Sequence, residues 1–274
     1  MSDHIQVILY SYRDKNLKDV VDNLYSRASG DNFSVFVIDQ NNINRSEMFD
    51  NYDQMYYEFK TWDSIKSPCE IKMKKIDQAS GFILIMSDDV MLSDSWDSRL
   101  MEFVGERDVV VSGHTRPNLF HKDLYFLEKN PVWDNKFALS QYVDRNFIFA
   151  KSELLQRAQY PGEVKYYGEE ELLSLNFFMN GIDVFAAPGD LYQDLEKRLI
   201  ENIYCPFSLE HNYDRVVDYF SLDAAKQFLE YHKIDKNKMF KLPHQYNDVS
   251  YIHTDMKFYE ADGKKFIEAT RVIN

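Results

Sequence analysis

The 274-residue sequence predicts an α/β fold, a nucleotide-type domain over residues 1–200 followed by a mixed accessory region over 201–274. Three observations carry this expectation. The chain opens on a strand–helix–strand pattern. Three apolar, strand-length runs each exit into a polar cluster. Apolar residues make up 45% of the chain, enough for a sizeable core.

Residues 5–10 (IQVILY) form a short apolar run suited to a buried strand. Leu17, Val20, Val21, Leu24 and Ala28 then recur at helical spacing, and Gly30 stands where a helix stop is expected. Residues 33–38 read as a second strand ending in Asp39-Gln40, so the unit implies a right-handed crossover and a parallel pair. Met48, Phe49, Tyr52, Met55, Tyr56 and Phe59 share one helical face, which predicts a long helix broken at Pro68. A basic segment, 71–76, leads to a strand at 81–86 that runs into Ser87-Asp88-Asp89. Ser95 is a capping candidate for the next helix, with Asp97 favoured in its first turn. Short strands are expected at 109–111 and 146–150, and a helix at 169–179 stopped by Asn180-Gly181. In the tail, residues 257–260 and 264–269 alternate around Asp262-Gly263, a two-residue hairpin signal.

Charge and cysteine usage narrow the function classes. Lys and Arg total 32 against 45 Asp and Glu, a formal net charge of −13, which excludes a sequence-blind nucleic-acid coat while leaving local basic patches such as 72–75 and 233–241. The two cysteines, Cys69 and Cys205, support neither a disulfide framework nor a cysteine-rich metal site. No apolar run approaches the ~18 residues of a membrane helix, and no secretory signal opens the chain. The expectation is a soluble protein of a reducing, cytoplasmic compartment that has no membrane partner.

Ligands of open α/β sheets bind beyond the carboxyl ends of the parallel strands. Parallel strands in one sheet would bring three clusters to one edge: Ser11-Tyr12-Arg13-Asp14, Asp39-Gln40 and Ser87-Asp88-Asp89. Adjacent carboxylates leaving a buried strand repel unless a cation or solvent intervenes, and oxygen ligands of this kind suit Mg²⁺ or Mn²⁺ holding a substrate phosphate. Asp39 is placed to accept from ribose hydroxyls. The blander alternatives are a solvated turn at Asp88-Asp89 and dipole complementation by Glu169, Glu170 and Glu171.

In order, Ser-Tyr-Arg-Asp, Asp-Gln, Pro68-Cys69-x-x-Lys72, Ser-Asp-Asp, Trp96-Asp97 and Gly168-Glu169-Glu170 resemble the cytosolic hydroxyproline N-acetylglucosaminyltransferase family over roughly residues 5–195. The resemblance implies a GT-A fold and a metal-dependent transferase using a UDP-sugar with Mn²⁺ or Mg²⁺, and it leans towards retention of anomeric configuration. It implies that Ser11, Tyr12, Arg13, Asp14, Asp39 and Gln40 hold the donor nucleoside, with Ser87 and Asp88 beside it. Asp89 is the implied metal ligand, although the family has a histidine there and an acid where Ser87 stands. Lys72 replaces the family's arginine opposite the diphosphate. Glu169 or Glu170 would position or deprotonate the acceptor. The segment 184–195 resembles the family's last strand, which carries a metal-binding histidine; here Asp194 is the nearest substitute, and His211 a further candidate.

Trp96 reads as packing, while Tyr166-Tyr167, His114 and Arg116 are secondary acceptor-side candidates. The tyrosine-, asparagine-, aspartate- and lysine-rich style with little glycine resembles the proteins of T-even-like phages, which glycosylate hydroxymethylcytosine in their DNA, in some cases with arabinose. The expected acceptor is therefore hydroxymethylated DNA, in a host cytoplasm, with a hydroxylated protein or glycan as the alternative. Two further classes remain: a metal-dependent phosphodiesterase using Asp88, Asp89 and Glu170, and a non-catalytic sugar-binding module.

Overall fold

The first strand, β1 (Ile5–Tyr12), is the apolar run of the sequence extended by two polar residues. It is followed by α1 (Leu17–Arg27), whose Leu17, Val20, Val21 and Leu24 are buried, and by β2 (Phe33–Asn41), which pairs parallel to β1. The computed structural model describes residues 3–12, 16–41, 43–61, 68–113, 136–140, 143–159 and 169–194, and the backbone at 203–205, 254–261 and 264–271. Tyr12, Pro68, Glu171 and Asp194 are described in their backbone alone.

The expected helix across Met48–Phe59 is corrected. A single 3₁₀ turn, Ser46–Phe49, is followed by a strand, β3 (Met55–Thr61), parallel to β2. The helical periodicity of the sequence runs across Gln54, whose positive φ of 53° interrupts any helix. The segment beyond it, Met-Tyr-Tyr-Glu-Phe-Lys-Thr, is rich in aromatic strand formers. Pro68 likewise opens a helix rather than ending one: α2 (Pro68–Gln78) contains the whole basic segment, and proline is tolerated at a first helical position because no partner for its missing N–H is needed there.

The strand β4 (Phe82–Ser87) is buried throughout and pairs parallel to β1 on the side opposite β2. After the short β5 (Val90–Leu92) comes α3 (Trp96–Val104). Ser95 does occupy its N-cap position but in a left-handed conformation without a side-chain cap bond. Asp97 instead accepts from the backbone N–H groups of Ser29 and Gly30, at 2.8 and 3.1 Å, clamping the α1–β2 turn. Trp96 is fully buried, donating to the Leu24 carbonyl at 3.1 Å, which is the packing role expected of it.

The remaining elements are β6 (Val109–Ser112), β7 (Ala138–Leu139), β8 (Phe147–Lys151), α4 (Ser152–Arg157), α5 (Glu169–Met179), β9 (Asp183–Ala186) and β10 (Tyr192–Asp194). One eight-stranded sheet has the order β3-β2-β1-β4-β8-β6-β9-β7. Its strands run parallel except β7 and β8; β8 is antiparallel to both β4 and β6. A hydrophobic cluster covers each face, one containing α1 and Trp96, the other containing α2, α4 and α5 residues such as Ile76, Leu154 and Phe177. The segment expected as one strand at 184–195 is therefore two: β9 in the large sheet and β10, which pairs with β5.

In the tail, β11 (Ile203–Cys205), β12 (Thr254–Ala261) and β13 (Lys264–Arg271) form a separate antiparallel sheet. Ala261 faces Lys264, so two residues separate the paired strands, as the hairpin signal required; Asp262 and Gly263 lie outside the described residues.

Gly113, at the end of β6, has no room for a side chain. A Cβ there would lie 2.7 Å from Asp144 Oδ2 and 3.1 Å from the Tyr192 hydroxyl. Gly113→Ala is expected to destabilise the fold by about 1–3 kcal/mol, the usual cost of overpacking, read as a lower urea midpoint with an unchanged far-ultraviolet spectrum.

Candidate functional site

The register of β1, β2 and β4 brings the three polar clusters together. Ser11 lies opposite Asp39, Tyr12 opposite Gln40, and Tyr10 opposite Ser87, so all three strand exits meet one edge of the sheet. Arg13 and Asp14 lie outside the described residues.

Asp39, on β2, is completely buried. Its Oδ2 accepts from Arg45 Nε at 2.9 Å and from the Tyr57 hydroxyl at 2.5 Å, and its Oδ1 from Arg45 Nη2 at 2.7 Å. Arg45 Nη2 also donates to Ser11 Oγ at 3.1 Å. Burial and the bond to Asp39 push the Tyr57 hydroxyl well above its usual pKa. Burial opposes the charge on Arg45, but Asp39 outweighs it and raises the guanidinium further. Neither Arg45 nor Tyr57 stood out in the sequence. Arg45 caps the 3₁₀ turn and Tyr57 lies on β3, where the sequence predicts a helix, and a bidentate partner six residues beyond Asp39 carries no local signal.

At the end of β4, Ser87, Asp88 and Asp89 are all buried, Asp88 and Asp89 being 5% and 6% exposed. The Ser87 hydroxyl donates to Asp89 Oδ1. Their backbone is gripped from both neighbouring strands: Asp88 N–H donates to the Tyr10 carbonyl at 3.2 Å, and Ser87 N–H to the Asn146 carbonyl at 3.0 Å. The pairing of β10 with β5 sets Asp194 opposite Val90, the residue after Asp89. Among the described residues, no three His, Cys, Asp or Glu side chains converge as a ligand set. Two adjacent, buried, all-oxygen donors nevertheless fit Mg²⁺ or Mn²⁺, which bind through one or two carboxylates and leave positions for water and phosphate.

A second polar cluster lies beneath Tyr10. Lys72, on α2, and Glu169, at the start of α5, are 1% and 3% exposed and bridge at 2.7 Å. The Cys69 thiol donates to the other Glu169 oxygen at 3.0 Å. Lys72 Nζ stands 4.2 Å from the centre of the Tyr10 ring, whose hydroxyl donates to Asn146 Oδ1 at 2.8 Å. Burial drives the Tyr10 hydroxyl far above its usual pKa, against the pull of Lys72. For Lys72 burial opposes the charge, but Glu169 prevails and its pKa rises. Glu170 turns another way, accepting the Arg145 N–H at 3.4 Å with the Arg145 guanidinium 3.9 Å away.

The basic run 72–75 is thus no continuous surface: Lys72 is internal, Lys74 pairs with Glu70 at 2.8 Å, and Lys75 lies over the Phe36 ring. His114, Arg116, Tyr166, Tyr167, His211 and the segment 233–241 lie outside the described residues.

The fold built on this parallel-rich sheet matches solved structures over 90% or more of the chain. The chain has the GT-A fold. GalNAc-T7, crystallised with UDP, GalNAc and Mn²⁺, is similar at a TM-score of 0.58 and 12% identity, over 90% of this chain and 56% of that one. TarS of S. aureus is similar at 0.53 and 14%, over 97% and 60%, and its 1–349 form at 0.50 and 14%, over 96% and 95%. The chain therefore spans little more than half the length of the first two. No family model and no curated protein matches the sequence. No helix among the described residues is long and apolar enough to cross a membrane.

Two measurements check the electrostatics of these buried pairs. Arg45→Met leaves the Asp39 carboxylate buried without its cation and is expected to cost about 3–5 kcal/mol in urea unfolding, most of it recovered by Arg45→Met/Asp39→Leu. Because the folded pKa of Lys72 lies above its unfolded value near 10.5, its contribution is fully present below that pH and is lost as pH rises through the folded value. The stability difference between the wild type and Lys72→Met/Glu169→Leu should stay constant from about pH 7 to 9.5 and shift against the wild type only above about 10.5.

Proposed function

We propose that the chain is a metal-dependent glycosyltransferase that moves a sugar from a UDP-sugar to an acceptor hydroxyl. The observation carrying this reading is the meeting of three parallel strand exits around buried Asp88 and Asp89 in a GT-A fold. The bound UDP, GalNAc and Mn²⁺ of the structural neighbour GalNAc-T7 support the donor class and the metal.

Asp89, with Asp194 from the paired β10, would hold Mn²⁺ or Mg²⁺, and the cation when bound would screen the donor diphosphate and the charge developing on it. The nucleoside end lies towards β2, two strand spacings or about 10 Å from β4, a separation matching the reach from a diphosphate to its base. Ser11, Gln40 and the Asp39–Arg45 pair line that end, continuing into Tyr12, Arg13 and Asp14. Glu170, beside Arg145, is the carboxylate assigned to orient or deprotonate the acceptor hydroxyl.

For the acceptor, the compositional resemblance to T-even-like phage proteins supports 5-hydroxymethylcytosine in DNA, with arabinose or a hexose as the sugar. A hydroxyl on the base is the nucleophile that unmodified cytosine lacks, so only hydroxymethylated duplex should gain mass when incubated with a panel of UDP-sugars. Labelling of a hydroxyproline peptide in its place would move the acceptor to hydroxylated protein.

UDP at about 100 times its dissociation constant is expected to stabilise the protein by about 2.7 kcal/mol in Mn²⁺ and by little in chelator, read by thermal melting. Asp89→Asn should keep the fold, lose the metal-dependent part of that shift, and reduce transfer by about two orders of magnitude. Equal stabilisation by UDP in EDTA would remove the metal-bridged donor site.

A further inference from the structure

We propose that Lys72 and Glu169 are positioning residues, a buried strut that sets the direction of Glu170 while neither touches substrate; the inference rests on the nucleotide-sugar reading above. A lysine facing a diphosphate needs an accessible ammonium. Lys72 is 1% exposed, and to reach a phosphate it must abandon a carboxylate 2.7 Å away that is itself 3% exposed. That movement leaves Glu169 charged inside the protein, a far worse state than the paired one. Glu169 is committed in the same way, one oxygen to Lys72 and the other to Cys69.

The location of the strut gives it its function. On one side Lys72 rests on the Tyr10 ring, and Tyr10 accepts the Asp88 N–H through its carbonyl and bonds Asn146 through its hydroxyl. Asn146 in turn accepts the Ser87 N–H. Lys72 is thus packed against the frame that grips the acidic motif. On the other side it holds the first residue of α5, and Glu170 is the next residue of that helix. One turn further on, Ser174 donates to the Glu170 carbonyl and accepts the Val143 N–H at 3.0 Å, fixing the helix against the chain leading into β8. Held at Glu169 and again at Ser174, the first turns of the helix cannot rotate, and Glu170 stays beside Arg145. Small displacements of a reacting group are costly, about 100-fold for about 1 Å, so a rigid strut outside the cleft controls turnover without contributing to affinity.

The test uses the full chain with Lys72→Arg, Lys72→Met and Lys72→Met/Glu169→Leu, the last removing both charges so that folding is preserved. Three quantities are measured: the affinity for UDP with Mn²⁺ by calorimetry, kcat and KM for the UDP-sugar that the wild type hydrolyses fastest, and amide exchange of residues 169–173. Expected are UDP affinities within about twofold of wild type in all three variants, and kcat lowered at least about tenfold at unchanged KM in Lys72→Met and the double variant. Exchange at 169–173 should rise at least about tenfold in both, with Lys72→Arg close to wild type throughout. A tenfold loss of UDP affinity in the folded double variant would overturn the proposal, because Lys72 would then hold the diphosphate. Unchanged exchange or unchanged kcat in Lys72→Met would overturn it as well. If the wild type neither binds UDP with Mn²⁺ nor turns over any UDP-sugar, the nucleotide-sugar reading fails instead, and the exchange measurement still decides whether the strut orders α5.

Discussion

The parallel register of β2, β1 and β4 is the constraint on which the site depends. Hydrogen bonding sets Ser11 level with Asp39 and Tyr10 level with Ser87, and the side-chain period of two then decides which groups emerge together. A slip of one residue in β4 would turn Ile83, Leu84 and Ile85 to the wrong faces of a sheet that is buried on both sides. The two hydrophobic clusters therefore enforce, by ordinary core packing, the alignment of polar groups that contribute nothing to that packing. Stability and site geometry share one cause.

Charge inside such a sheet is tolerated only in matched sets. Asp39 is neutralised by a bidentate guanidinium and a phenol, Glu169 by an ammonium and a thiol. Asp88 and Asp89 differ in being adjacent: Asp89 accepts the Ser87 hydroxyl, and Asp88 acts electrostatically on Arg45. A pair of adjacent buried carboxylates is a poor contributor to folding, and such groups persist where another requirement holds them.

Most of this was legible in the sequence because apolar strands and their polar exits are local patterns. The clusters at Ser11, Asp39 and Ser87, the helix at Glu169 and the terminal hairpin needed only periodicity and turn chemistry. The region 48–61 was misread because aromatic residues satisfied a helical period across Gln54, whose left-handed backbone no periodicity reveals. From the sequence Lys72 reads as a cation available to a diphosphate or to DNA, since its partner Glu169 lies 97 residues away. The Arg45–Asp39 clamp spans only six residues, but Arg45 precedes a 3₁₀ turn and no motif there marks it as a carboxylate partner. Long-range charge pairing leaves no trace in spacing, and only the folded chain shows which cations are already spoken for.

The reversed direction of β8 has a wider consequence. Because β8 is antiparallel to β4, the edge that collects the exits of β1, β2, β4 and β6 also receives the entrance of β8, with Asp144, Arg145 and Asn146 upon it. A strand entrance is supplied by the chain before it, here residues 143–146, whereas a strand exit is supplied by the chain after it. On the proposed reading the donor is addressed by chain leaving the sheet and the acceptor by chain arriving at it. The register of β1, β2 and β4 is set by pairing among those strands, so side chains at 143–146 can vary while the alignment of the other exits stays fixed.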